Sequence, residues 1–358
     1  MRLIKYIVSV CLALFVVGCV SAPAPTATLA PIPTLTLPPT IFASPTSVNS
    51  SDLKAGQWSF IFYHDTREQV ILVNGGPERG KPAGDLLELW GWDGSQWNLI
   101  IADENGPSWR NFAAAAYDTE RDVLVIHGGL QQRGTSFDET WEWDGQTWTR
   151  FEGADAGPGA REGALMAYDA ARANIILFGG STPDMEIHGD TWTWDGESWT
   201  QVSETGPAQR FPAGMVYDPV HQEVLLYSGH FAAVSGEFID FDDLWSWDGN
   251  AWRQLPTNEL TPGHRTHAGF LFDPVAENVL LIGSGNDAFL GDMWAWDGAK
   301  WEEMPTSNAP ARSGHNVAYD PKRGRFVLFG GVDRPGGEAL DDTWEWDREN
   351  WVCVHNCK

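Results

Sequence analysis

Five arginines, Arg110, Arg161, Arg210, Arg265 and Arg312, each stand seven residues before an aromatic residue that is followed by aspartate. A guanidinium carries its donors in a planar fork that meets a carboxylate or phosphate at two points, so such a set could grip an acidic ligand. The same set could be used up inside the protein. An acidic residue recurs with it in six copies, as Glu88, Glu139, Asp190, Asp243, Asp292 and Asp342, and each is a natural partner for a repeated arginine. Both readings stand at this level, and in the first copy the equivalent position reads as Gln57.

Other residues could do different chemistry. His264, His267 and His315 fall near Arg265 in the repeat and could meet His230, giving neutral imidazoles able to act as bases. Asp240, Asp242 and Asp243 offer oxygen ligands, but no D-x-D-x-D-G loop surrounds them, and a solvated acidic turn is expected. Cys353 and Cys357 read as a disulfide in an oxidising compartment. An extended strand would hold their Cα atoms about 13 Å apart, beyond the limit of about 7 Å, so the chain must turn after Val354. Cys353, His355 and Cys357 have no second cluster beside them, and neither a metal nor a cofactor is expected.

The elements that must position these groups come from an internal repeat. The pattern W-x-W-D-G-x-x-W occurs around Trp92, Trp143, Trp194, Trp247 and Trp296, and around Trp346 with Arg348 in place of glycine. The steps between those markers are 51, 51, 53, 49 and 50 residues. Of the 20 tryptophans, 18 sit at the three repeat positions, so tryptophan here is architectural. Upstream lies an aromatic-Asp pair, Tyr117-Asp118, Tyr168-Asp169, Tyr217-Asp218, Phe272-Asp273 and Tyr319-Asp320, with His64-Asp65 read as its remnant in the first copy. Ten residues after each Asp comes a glycine site, such as Gly179-Gly180. In one copy, Gly163 to Tyr168 and Ile175 to Phe178 flank a polar turn, and Thr191-Trp192-Thr193-Trp194 alternates into the Asp195-Gly196 turn. That order predicts four antiparallel strands per copy.

A double glycine ending the second strand, an aromatic on the third and a Trp on the fourth resemble kelch repeats over nearly 300 residues. The resemblance, shared with the central domain of galactose oxidase, implies a six-bladed β-propeller with the first strand of each blade innermost. Small residues at Ala113 to Ala116, Gly163-Ala164, Ala213-Gly214 and Ala268-Gly269 suit that crowded centre. Each blade is expected to come from contiguous sequence, with exchange of a strand across the ends as the alternative. The family also implies that arginines at comparable positions can face acidic peptides. Copper radical oxidases share the architecture but need a Cys-Tyr crosslink, for which the residues are missing. Kelch proteins that epimerise sialic acid supply the analogy for an enzyme alternative. The W-D-G-x-x-W turns resemble the sialidase Asp-box, yet their spacing differs and they occur in every blade, so they read as hairpin turns.

Strand order places the second-to-third loops and inter-blade connections on one face. The longest loop runs from His230 to Asp242 with Phe231, Phe238 and Phe241, and another carries Phe289. Apolar side chains there suggest contact with a partner, or packing of the loops on one another. Phe137, Met185, His188, Arg79, Lys81, Arg133 and Arg334 are further loop candidates.

The N-terminus sets the compartment. Arg2 and Lys5 precede an apolar run too short to span a bilayer, which ends at Cys19 in a sequence resembling the bacterial lipobox. Residues 1–18 are read as a lipoprotein signal peptide and Cys19 as the lipidated residue. Residues 19–55, rich in Pro, Thr, Ala and Ser, are read as a disordered tether reaching at most about 90 Å. Residues 56–358 are the propeller. Loss of two cations would take the net charge from -26 to about -28, which disfavours nucleic acid. The expectation is an extracytoplasmic, lipid-anchored monomer that binds a protein or glycan and meets the membrane only through its anchor. The alternative is a carbohydrate-active, sugar epimerase-like enzyme using the loop face.

Overall fold

The computed structural model describes Leu53 and residues 59–74, 86–131, 135–151, 157–182, 184–211, 213–232, 238–257, 260–284, 289–305 and 308–357. The proposed signal peptide and Cys19 lie outside these, as do the tether apart from Leu53, and Gln57, Arg79, Lys81 and Arg133. The described residues form six four-stranded antiparallel sheets and one short two-stranded pair, Leu130–Gln131 with Thr135–Ser136. Blade 1 consists of Phe60–His64, Gln69–Asn74, Glu88–Trp92 and Trp97–Ala102, and blade 2 of Ala114–Asp118, Val123–His127, Thr140–Trp143 and Trp148–Phe151. Blade 3 follows as Leu165–Asp169, Asn174–Phe178, Thr191–Trp194 and Trp199–Ser203, and blade 4 as Gly214–Asp218, Glu223–Ala232, Phe238–Trp247 and Trp252–Leu255. Blade 5 is Gly269–Asp273, Asn278–Ile282, Met293–Trp296 and Trp301–Met304. Blade 6 is Asn316–Asp320, Arg325–Phe329, Thr343–Trp346 and Trp351–His355. No helix occurs among the described residues.

Each first strand packs on the first strand of the next blade, and blade 6 returns to blade 1. Every blade is contiguous in sequence, so no strand crosses the junction of the termini. Closure rests on packing: six apolar clusters fill the six junctions, and the closing one joins Val70, Leu72 and Trp97 to Val327 and Phe329. Small inner residues let the sheets approach, since a Cβ on Gly214 would lie 2.5 Å from Cβ of Phe270.

The tryptophans are wedges with a polar handle, because a buried indole N–H needs an acceptor. The fourth-strand indole of one blade reaches a threonine hydroxyl of the blade before it: Trp199 to Thr140, Trp252 to Thr191 and Trp97 to Thr343, at 2.8 to 2.9 Å. Where that acceptor position is Leu89 or Leu244, the facing Trp148 and Trp301 join apolar clusters with those leucines. The pair at Trp97 and Thr343 ties blade 1 to blade 6, and so does Trp92 donating to Glu345 at 2.8 Å. Replacing buried Thr191 with valine keeps the volume but leaves the Trp252 N–H unpaired. A loss of about 1–2 kcal/mol is expected, read as a lower urea midpoint with an unchanged slope. An unchanged midpoint would mean that the indole wedge holds by shape alone.

On the hairpin face, the Asp of each W-D-G-x-x-W turn caps two backbone N–H groups, as Asp195 does for Glu197 and Ser198 at 2.8 Å. The aromatic-Asp carboxylates lie deeper and need a partner. Arg121, Arg172, His221 and Arg323, each three residues on, pair with Asp118, Asp169, Asp218 and Asp320. The hairpin glycine of the next blade covers that side chain with a positive φ, and a Cβ on Gly249 would lie 1.8 Å from the Arg172 guanidinium. Blade 5 has Ala276 where the cation should stand. Its Asp273 is instead held by Arg348, which occupies the glycine position of blade 6 at φ 82° and donates twice at 2.6 and 2.7 Å.

Blade 1 corrects the sequence alignment. His64 pairs with Gln69 as Asp118 pairs with Val123, so Tyr63 is the aromatic and His64 takes the aspartate site; Asp65 lies in the turn. With no carboxylate of its own there, His64 lies 3.3 Å from Asp122 of blade 2. Cys353 and Cys357 are disulfide-bonded, Cα atoms 5.8 Å apart, with the chain turning through Asn356 at φ 49°.

Candidate functional site

Each repeat arginine is built into its blade. Arg161 donates to Asp190 at 2.9 and 3.2 Å and to the Gly179 carbonyl at 3.1 Å. Arg210 does the same with Asp243 and Ser228, Arg312 with Asp342 and Gly330, Arg265 with Asp292 and Ser284, and Arg110 with Glu139 and Gly128. The acid also accepts from the indole two residues later, as Asp190 does from Trp192 at 2.7 Å. This follows from the period of a strand, which puts residues i and i+2 on one face. Despite burial, which works the other way, Arg161, Arg210 and Arg312 hold Asp190, Asp243 and Asp342 below the usual carboxylate range. None of the five arginines is more than 4% exposed. Buried and paired with the acid of their own blade, they are not presented to solvent.

Two of the loop phenylalanines are spent on the same scaffold. Phe241 lies under Arg210 at 3.7 Å and Phe137 under Arg110 at 4.0 Å, in cation–π contacts. The Asp240, Asp242 and Asp243 run does not converge: Asp243 serves Arg210 and Asp240 faces His264 at 3.5 Å. Phe231 and Phe289 are half-buried, and Phe238 opens the returning strand of the blade 4 hairpin. Met185, at φ 65°, is among the most exposed large apolar residues. Among the described residues, no group of three or more His, Cys, Asp or Glu side chains is placed to hold a metal ion.

The ten-residue strands of blade 4 carry His230 back over the centre, where Phe211 and His230 exchange backbone hydrogen bonds at 2.8 and 3.1 Å. Asn111 with Leu130, Glu162 with Ser181 and Ser313 with Val332 make the same reciprocal pair. The residue after four of the five repeat arginines, Asn111, Glu162, Phe211 and Ser313, is thereby fixed in a collar around the axis. Two residues after Arg110, Arg161, Arg265 and Arg312 the backbone takes a positive φ, which glycine accepts at Gly163 and Gly314 but which Phe112 (57°) and His267 (51°) tolerate with strain. Gly163 N–H donates to the Phe112 carbonyl and Gly314 N–H to that of His267, linking neighbouring blades.

Inside the collar is a cavity of about 480 Å³ to which all six blades contribute. Its walls include Phe60, Phe112, Phe211, Phe270, Met166, Met215 and Val317 with several small residues, and its polar groups are Ser59, Glu162, His230, His267, His315 and Asn316. His230 and His267 stack edge to face at 6.3 Å, and Phe211 lies 5.5 Å from His230. Burial lowers the pKa of His230 and holds that of His315 down to about 3, so these imidazoles are neutral near pH 7. Glu162 is pushed the other way, its carboxyl raised by burial, and its Oε2 is buried with no hydrogen-bond partner.

Of the residues expected from sequence, the cavity gathers His230, His267 and His315. His264 turns to Asp240, and Arg265 turns into the blade. Glu162 and Phe211, which directly follow repeat arginines, and Phe112, two residues after one, were missed, because these positions vary from copy to copy and no motif marks them.

No family model matches the chain. It is similar to the tRNA wybutosine-synthesizing protein 4 of Emericella nidulans, 26% identical over 208 residues. That match covers 53% of this chain and 19% of the Emericella protein, so the chain spans about a fifth of its length.

Proposed function

We propose that this chain is a kelch-type binding module held outside the cytoplasm by a lipid on Cys19, presenting the collar end of its propeller to a protein or glycan. The cavity inside the collar carries this reading. It is a concave, largely apolar site with a few convergent polar groups, the usual form of a ligand site. The strained Phe112 and His267 at its rim fit a surface shaped for contact. The arginines do not support it, so recognition rests on what differs between blades. The tRNA chemistry named for the Emericella protein finds no echo in a chain of net charge -26.

The full chain, screened on a glycan array and against surface proteins, is expected to give saturable binding that His230→Ala or Phe231→Ala weakens at least tenfold without lowering the melting temperature. Binding that survives both changes would place the ligand elsewhere. A sugar altered on incubation would replace the module with the sugar epimerase-like enzyme. Cys19→Ala is expected to release the chain from the membrane; retention would remove the lipid anchor from the proposal.

A further inference from the structure

The charge inside the collar is of one sign. Among the described lining residues there is no lysine or arginine, and Glu162 is the single carboxylate. The guanidinium next to it in sequence, Arg161, is turned away and neutralised by Asp190. A buried carboxylate oxygen without a partner costs stability, and native proteins keep few of them. This one is held in place by the reciprocal backbone pair of Glu162 with Ser181, at 2.9 Å in both directions. Phe112 and Phe211 line the same cavity, and the ring of Phe211 fills the space where the neighbouring Gly163 has no side chain, within 2.6 Å of a notional Cβ. Phe112 holds the carbonyl to which Gly163 donates. A carboxylate and phenyl rings lining one cavity suit an ammonium group, which the carboxylate pairs and the rings attract through their faces. The volume, about 480 Å³, is far more than a bare ion needs, and the apolar walls call for an organic body.

We infer that the collar cavity binds a small organic ammonium compound, its cationic nitrogen at Glu162 between Phe112 and Phe211 and its apolar part against the inner strands. This rests on reading the collar as a ligand site and names the class of ligand it takes. The acidic surface of the protein as a whole would raise the local concentration of such cations.

The test uses the full chain with three probes of similar size: benzyltrimethylammonium, benzyl alcohol and phenylacetate, measured by calorimetry and saturation-transfer NMR. The expected result is one saturable site for benzyltrimethylammonium, at least tenfold tighter than benzyl alcohol, with phenylacetate unbound. Glu162→Gln should abolish that preference without lowering the melting temperature. Phe211→Leu should weaken the cation more than the alcohol. Equal affinity for cation and alcohol would sink the ammonium assignment while leaving the collar a ligand site. Preference unchanged in Glu162→Gln would show general attraction to an acidic protein and overturn the assignment. Failure of all three probes would do the same, and the glycan and protein screen would still decide the wider proposal.

Discussion

Replacing Arg348 with glycine, the residue every other blade carries at that position, is expected to destabilise the protein by about 2–4 kcal/mol. The Asp273 side chain is 1% exposed and draws both its charged hydrogen bonds from Arg348. Removing one partner of a buried pair strands the other charge, which typically costs about 3–5 kcal/mol. Glycine returns part of that, about 1 kcal/mol, because it relieves a left-handed φ of 82°. The sign therefore follows from electrostatics overriding backbone strain. Adding Ala276→Arg to the glycine variant would rebuild the arrangement of blade 3, where Arg172 pairs with Asp169 beneath Gly249. Recovery of most of the lost stability is expected in the double variant, although Ala276→Arg alone should clash with Arg348. Chemical denaturation of the four proteins decides it; a glycine variant as stable as the parent would show that Asp273 is satisfied without a cation.

Acid should weaken the fold well before its carboxylates protonate. His127 and His315 are buried, and burial holds both at about 3 against an ordinary 6.5. The unfolded chain therefore takes up protons from about pH 6.5 downward while the folded one does not. Stability is full above 6.5 and falls as pH drops from 6.5 towards 3. At 1.36 kcal/mol per unit, roughly 2–3 kcal/mol per histidine is lost by about pH 4.5. For His127 the hydrogen bonds give the reason in atoms. Nδ1 lies 3.0 Å from the Thr140 hydroxyl, which already accepts the Trp199 indole N–H, and Nε2 lies 3.2 Å from the Gly159 carbonyl. The chain of donors closes when Thr140 donates to a neutral ring, and a proton on Nδ1 would break it. His127→Gln is expected to lessen the fall in melting temperature between pH 6.5 and 4.5 without abolishing it, because His315 and His267, also held at about 3 by burial, keep their share. A second fall below about pH 4 should remain, where the unfolded chain takes up protons that Asp190, Asp243, Asp273 and Asp342, held below the usual carboxylate range by their arginines against the opposing effect of burial, still refuse. A profile flat from pH 7 to 5 in the parent would refute the assignment to buried histidines.

The number of blades, four strands in each and the W-D-G-x-x-W hairpins were legible in the chain alone, because each copy repeats the same local rules: alternation, a capping Asp and a glycine with positive φ. The repeat even printed the partners of the arginines, an acid two residues before each first Trp. What spacing could not say was which way those arginines point. Binding and burial ask for the same residue in the same place, and only the closed ring buries them. In blade 1 the strand pairing, not the visible Asp65, assigns the aspartate site to His64. Arg348 looked like a worn copy of the motif and proved to be the cation of a neighbouring blade, a contact 75 residues long in sequence. Glu162 and Phe211 follow their arginines with no pattern to mark them. They become a site only when six unlike residues are brought around one axis, a juxtaposition set by long-range packing between blades that no local rule encodes.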